Sequence, residues 1–430
     1  MTEPPQTRRR LGRLRQTFES YAVPRFRLHQ LSWVTSSMAM QMAQLARPWL
    51  AYEISDSALM LGVVAGSQGL AQVIAAPFGG LAADRLPKRN VLLISQIVLL
   101  GMVSAMAALV FFDAVEVWHL ALLSVVHGVT VTFNNPVRQA FIPLLLPRSL
   151  MANGMALHNG ARSLNQIVGP AIVGVLLEIE ISIAFFVIVG LHAVSVVFST
   201  QLPLAPPEPS KKRSIAGELL FGLSYVAKHR VLRLIVLLSI AATVLVHPFH
   251  ALLPVFQQQV LEVGESALGL MFSAVGLGAL VSSLGVASYS SWSTKPWSQL
   301  SSGVVFGVAV AGFALSPYYA ASLVALFVAG AAAQAFSVAN STQMIYYADP
   351  ALYGRVSGLH IWIRALMSIS LLGYGALIDV FGASPSLATG AAVFIASIVG
   401  VAIAFPWFWR NAAARGAPAD SEHHAGPRLG

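Results

Sequence analysis

The chain of 430 residues contains no cysteine, which excludes disulfide scaffolds, thiolate metal sites and a thiol nucleophile. Charge is scarce. Asp, Glu, Lys and Arg make up 10% of the residues, against about 25% in soluble domains. A G-x-x-x-x-G-K-[ST] phosphate loop and an H-E-x-x-H pair are both missing, so nucleotide-driven work and zinc protease chemistry lack their usual signatures. The 17 acidic residues all sit in loops, tails or helix ends, with Glu53 the deepest. No acid pair at a helix centre is available for hydrolysis, so an enzyme is not expected. Neither is a metal or a cofactor.

What remains is largely apolar: 56% of the residues are hydrophobic. A helix crossing a hydrocarbon core of ~30 Å needs about 20 residues. Apolar runs fall at 28–54, 58–82, 90–112, 118–146, 152–178, 181–203, 233–260, 266–288, 297–316, 318–347, 355–380 and 384–409. Lipid offers no partner to unpaired backbone groups, and these runs are too long for barrel strands. The expected fold class is an all-α polytopic membrane protein with twelve transmembrane helices. The run from Leu28 is too long for a signal peptide and lacks a small-x-small cleavage site, so it counts as helix 1.

The net charge of +9 first resembles a nucleic-acid binder, but the positions of the basic residues exclude that partner. With a cytoplasmic N-terminus, 22 of the 26 Lys and Arg residues fall in cytoplasmic segments and none in the outer loops. The outer loops carry Asp56, Asp113, Glu116, Glu178, Glu180, Glu262, Glu265 and Asp379 instead. This split follows the positive-inside rule and places the protein in the cytoplasmic (inner) membrane with both termini inside. The division is a tail (1–27), a six-helix half (28–203), a cytoplasmic linker (204–232), a second half (233–409) and a tail (410–430). In the linker a Pro-rich and then basic stretch leads into an amphipathic segment with Ile215, Leu219, Leu220 and Leu223, suited to an anionic lipid surface.

The halves echo each other. His158-x-x-x-Arg162 in helix 5 recurs as His360-x-x-x-Arg364 in helix 11, each residue displaced by 202 positions. Asn134-Asn135 near the end of helix 4 corresponds to Ala339-Asn340 near the end of helix 10. Two parallel six-helix repeats follow.

The loop after helix 2 reads Gly80-Leu81-Ala82-Ala83-Asp84-Arg85-Leu86-Pro87-Lys88-Arg89. It resembles the major facilitator signature G-x-x-x-D-R-x-G-R-R/K, with Pro87 for the second Gly and Lys88 for Arg. Trp49-Leu50-Ala51-Tyr52-Glu53, Asn135-Pro136-Val137-Arg138-Gln139-Ala140-Phe141 and Gly222-Leu223-Ser224-Tyr225-Val226 are similar to the exporter branch with the enterobactin and macrolide efflux proteins. The Arg of the proton-antiporter signature of helix 4 would stand at Ser124, followed here by His127-Gly128. The helix 5 signature survives as Gly169-Pro170 and Gly174. The resemblance implies a latch: Asp84 caps the start of helix 11, where the helix dipole favours a carboxylate. Arg85, Lys88 and Arg89 pair with carboxylates or lipid phosphates. Gating is thereby expected at Gly80, Asp84, Arg85, Lys88, Arg89, Arg138, Gly169 and Pro170.

An Arg at the centre of a spanning helix costs ~2.5–3.5 kcal/mol, so Arg47, Arg138, Arg162 and Arg364 each require a reason. His127, Thr130, Asn134 and Arg138 recur at spacings of 3, 4 and 4 and share one face of helix 4. His158, Arg162 and Asn165 do the same in helix 5. Helix 1 adds Ser37, Gln41, Gln44 and Arg47; helix 7 adds Thr243, His247 and His250; helix 10 adds Gln334, Ser337 and Asn340. The resemblance places helices 1, 4, 7 and 10 around a central cavity. Arg138 is expected to ion-pair with Asp84. Arg47 is expected to meet substrate, to pair with Glu53 or Asp56, or to snorkel to the outer surface. Pro248 is expected to kink helix 7, freeing a carbonyl that His247 or His250 can bond. His192 is expected to be packed in helix 6.

Candidate substrate contacts are Gln41, Gln44, Arg47, His127, Asn134, His158, Arg162, His247, His250, Gln334, His360 and Arg364. Trp33, Trp49, Phe133, Phe249 and Trp362 offer aromatic walls. Embedded arginines without carboxylates suit an anionic or amphipathic organic molecule. The expectation is a monomeric secondary transporter that exports a drug, siderophore or natural product by alternating access. Protons are the expected coupling ion, carried by Asp84, His127 or His247. An importer of an organic anion or lipid-like solute, and a non-transporting sensor or assembly partner, are the alternatives.

Overall fold

The structure, a computed structural model, describes residues 18–204, 224–349 and 353–410. Within the helices, the side chains of 77, 79–85, 287, 290–291, 353–362, 364–365 and 410 fall outside the description. The expectations on Gly80, Asp84, Arg85, His360, Trp362 and Arg364 therefore lie outside the described residues, as do those on the tails and on linker residues 205–223.

Among the described residues, twelve long helices follow one another with short connections. They are α1 (Pro24–Ser55), α2 (Ala58–Arg85), α3 (Lys88–Phe111), α4 (Val117–Leu145), α5 (Met151–Ile179) and α6 (Ile181–Thr200). After the linker come α7a (Arg230–Leu245) and α7b (Phe249–Gln259), α8 (Glu265–Ser288), α9 (Pro296–Leu315), α10 (Tyr319–Tyr346), α11 (Tyr353–Phe381) and α12 (Ala383–Ala404). The connections gather at two ends. The α2–α3, α4–α5, α8–α9 and α10–α11 turns form a basic end; the α1–α2, α3–α4, α5–α6, α7–α8 and α11–α12 turns form an acidic end.

The repeat seen in sequence has a structural counterpart. α5 and α11 are each 29 residues long, and their boundaries differ by 202 positions, as do the starts of α4 and α10 and of α6 and α12. In the first half α1 packs on α5 and α6, and α4 on α2 and α3; in the second α10 packs on α8 and α9, and α12 on α9. The halves meet along two seams, α2 against α11 and α5 against α8.

Among the described residues, nine helices are both long and apolar enough to cross a membrane. Of the others, α1 and α5 match them in length but carry Gln41, Gln44 and Arg47, then His158 and Arg162. The polarity that lowers their hydropathy belongs to the interior between the halves.

The seams close tightly toward the acidic end. A Cβ built on Gly269 of α8 would lie 2.6 Å from the Pro170 carbonyl oxygen of α5, and one on Gly174 would lie 2.7 Å from that of Glu265. Only glycine lets the two backbones approach so closely. Gly269→Val is expected to cost about 1–3 kcal/mol through overpacking. It should lower the melting temperature of the detergent-purified protein, while Gly190→Val, where nothing lies within 4 Å, should leave it nearly unchanged.

Candidate functional site

Between the seams lie two adjoining chambers of about 670 and 550 Å³. The larger is on the α2–α11 side and the smaller on the α5–α8 side. Gln44, His247, His250, Ser337 and Met367 line both, so they are parts of one central cavity. Among the described residues no Asp or Glu lines either chamber.

Arg47 of α1 stands in the wall of the larger chamber and is 2% exposed. Its Nη1 donates to Ser124 Oγ of α4 (3.1 Å), and its Nη2 to Gln68 Oε1 of α2 (3.0 Å). Nη2 also lies 3.0 Å from His127 Nδ1, and Nε donates to the Ala43 carbonyl at 3.1 Å. The expected pairing with Glu53 or Asp56 is not formed. Glu53, six positions on, projects from another face of α1 and accepts from Gln258 of α7b at 2.7 Å. Neutral dipoles stabilise the guanidinium without cancelling its charge, and bonds to a charged donor contribute about 1.5–3 kcal/mol each. The cavity wall therefore stays cationic.

Arg162 of α5 lines the smaller chamber together with Gln41, His158 and Gln334. It is exposed, as are Asn135, Gln139, Met155 and Asn159 of the same chamber, all in the parts of α4 and α5 nearer the basic end. The cavity is therefore accessible from the basic end and closed at the acidic end. His158 stacks on Trp33 with ring centroids 4.7 Å apart, and its Nδ1 lies 3.3 Å from Gln30 Oε1.

Arg138 of α4 is 1% exposed; it borders the smaller chamber but directs its donors into the first half. Nε donates to Asn134 Oδ1 at 2.6 Å and Nη1 to Ser32 Oγ at 3.2 Å, while Nη2 reaches Ser195 Oγ at 3.5 Å. With its side-chain amide oriented so that the oxygen faces Arg138, Gln96 of α3 also accepts from Nη2. The Trp33 ring lies 5.5 Å from Arg138 Cζ, a cation–π distance. The partners described for Arg138 are neutral; Asp84, its expected partner, lies outside the described side chains. The bonds tie α4 to α1, α3 and α6.

Several candidates move out of the cavity wall. His127 sits behind Arg47, Asn134 holds Arg138, and neither lines a main chamber. Asn165, which stays in the wall of the smaller chamber, bonds Ser37 and the Val34 carbonyl, tying α5 to α1. Trp49 is packed in the core, and Phe133 packs against a second core cluster; neither lines a main chamber. Phe272 and Phe336, missed among the apolar residues, line the larger chamber instead, with Gln68 and Gln72 of α2. The latter pair carried a legible signal, two glutamines four positions apart on one helix face.

α7 breaks at 246–248, as Pro248 predicts. The Val244 carbonyl, left without an amide by Pro248, accepts from Ser370 Oγ of α11, and that of Leu245 accepts from Tyr374 Oη of α11 at 2.5 Å. His247 Nδ1 lies 3.0 Å from the Ala242 carbonyl, which also accepts from the Val246 and His247 amides. His250 meets Phe272 edge to face at 4.6 Å between centroids. Gly169 packs against Gln41 of α1. Lys88 is buried at the α2–α3 turn, and Arg89 donates to the Thr200 carbonyl at the end of α6 at 2.5 Å.

Two six-helix halves joined along two seams, with a polar cavity open between them at one end, define a membrane transporter and not an enzyme. The family model of the Major Facilitator Superfamily matches residues 31–370, and the chain belongs to that family. It is 27% identical over 284 residues to the multidrug efflux pump Tap of Mycolicibacterium fortuitum, covering 63% of this chain and 69% of that one. It is 20% identical over 345 residues to a staphyloferrin A transporter of Staphylococcus aureus, covering 79% and 86%. Macrolide efflux protein A of Streptococcus pyogenes is 21% identical over 228 residues, covering 52% and 55%. In fold, the chain is similar to the nucleoside transporter NupG, with a TM-score of 0.72 at 16% identity over 90% of this chain and 99% of that one. A bacterial homologue of the human lysosomal transporter Spinster gives 0.69 at 13%, over 92% and 99%.

Proposed function

We propose that the protein is a secondary active transporter that exports an amphipathic organic anion by alternating access. The observation that carries this reading is the cationic cavity: Arg47 and Arg162 face space lined, among the described residues, by no carboxylate. A charge in a low-dielectric site acts strongly on its counter-ion. Phe272 and Phe336 on the opposite half offer apolar area to a ring or acyl body. The signature arginine replaced by Ser124 has a counterpart in space, because Arg47 donates to that serine at 3.1 Å. Two relatives support the direction, since they are named efflux proteins, and a third, named a staphyloferrin A transporter, supports an organic cargo. The basic end faces the cytoplasm by the positive-inside rule, so the cavity is open inward.

Protons are the proposed coupling ion, with His127 and His247 as carriers. One contact favours the second reading, anion import with a proton. A proton on His127 brings a second positive charge against Arg47, and a bound anion relieves it, so the two ligands favour each other. Purified protein in vesicles tests both. Movement of an aromatic carboxylate driven opposite to an imposed pH gradient supports antiport, and movement along it supports symport. Indifference to the gradient removes proton coupling.

A further inference from the structure

α11 ends at the acidic end with Asp379, whose side chain crosses from the second half to the first. Its Oδ1 accepts from the Ala58 amide of α2 at 2.8 Å, and its Oδ2 accepts from Ser57 Oγ at 2.8 Å and from the Leu59 amide at 3.3 Å. Ala58 opens α2, so these amides belong to the first turn, where no carbonyl of the same helix can serve them. The carboxylate also meets the positive end of the helix dipole. A helix start in one half is thus capped by a charge from the other.

The contact lies where the α2–α11 seam is tightest. A Cβ on Gly375, one turn before Asp379, would lie 2.6 Å from the Ala58 carbonyl oxygen, and one on Gly62 the same distance from that of Leu371. Opening this end must part α2 from α11, which removes the acceptor from two amides and a hydroxyl together. Closing it restores all three. The contact is specific to the closed acidic end, so its free energy acts on the balance between conformations and not uniformly on both.

We infer that Asp379 is the latch of the acidic end, holding it shut while the basic end is open and releasing at each turnover. The latch requires only that the halves rock, and it serves any cargo. In sequence Asp379 stood only as one acidic loop residue among eight. Its role depends on which helix start it faces, and that is fixed by the packing of α11 on α2.

The absence of native cysteine allows a direct test. Ser337→Cys places one thiol in the wall shared by both chambers, and a membrane-impermeant maleimide is applied from each side of oriented vesicles. With Asp379→Ala, labelling from the acidic-end side should rise about tenfold and labelling from the other side should fall. Asp379→Asn keeps the shape but loses the charge and should give about a threefold rise. Ser57→Ala, which removes one partner, should shift the same way by less. If Asp379→Ala does not reach the membrane, Asp379→Asn decides. Unchanged labelling from both sides overturns the latch. So does a lower melting temperature without a change in sidedness, which would make Asp379 a structural cap alone. The readout needs no substrate, so failure of the anion reading leaves it intact.

Discussion

Arg47→Ala abolishes transport of an anionic substrate, with a loss of about 30-fold or more, because removing a charge-assisted contact in a desolvated site costs upwards of 2 kcal/mol. The wall then presents Gln68, Ser124 and His127, which are neutral acceptors or weak donors. Arg47→Lys restores the charge but not the geometry. One guanidinium spans Ser124, Gln68 and His127 at 3.0–3.1 Å, and an ammonium on a flexible stem cannot hold all three. A loss of about tenfold is expected for it. Initial rates in vesicles, normalised to protein amount, provide the check. Equal rates for Arg47→Ala and the parent would remove Arg47 from the pathway.

Arg138 behaves in the opposite way. Its replacement by methionine is expected to destabilise the first half by about 3 kcal/mol or more, since Asn134, Ser195 and Gln96 lose their donor in a buried site. The melting temperature in detergent should fall by several degrees. Arg162→Ala removes an exposed side chain, so stability should change by less than about 0.5 kcal/mol while anion transport falls. Two arginines on adjacent helices, both bordering the smaller chamber, thus separate by how each is held: Arg138 is buried and bonded within the first half, and Arg162 is exposed.

Much of this architecture was legible without coordinates. The lipid rule turns apolar runs into helices with little freedom, so the expected 118–146, 152–178 and 384–409 correspond to Val117–Leu145, Met151–Ile179 and Ala383–Ala404. The last of these ends early because Pro406 starts a separate short turn. The His-x-x-x-Arg repeat located α5 and α11 at equivalent positions. Pro248 marked the break in α7, because it has no amide to donate and its ring displaces a carbonyl.

The partners of the charges were not legible. Arg47 has Glu53 and Asp56 nearby in sequence, yet six positions along a helix is 240° of rotation past a full turn, on another face. Its partners come from α2 and α4, and only tertiary packing brings Gln68 and Ser124 together. Arg138 shows the same limit, since Ser32 and Ser195 lie 106 and 57 positions away. Phe272 and Phe336 resemble every other apolar residue until the α8 and α10 faces that meet the cavity are known.

The central claim is that a cationic cavity selects an anion. The most direct measurement is binding of a matched pair, an aromatic carboxylate and its quaternary ammonium counterpart of the same ring size, to the purified protein. The carboxylate should bind at least about tenfold more tightly, a difference of about 1.4 kcal/mol. That preference should disappear in Arg47→Ala/Arg162→Ala. Equal or tighter binding of the cation by the parent protein would contradict it.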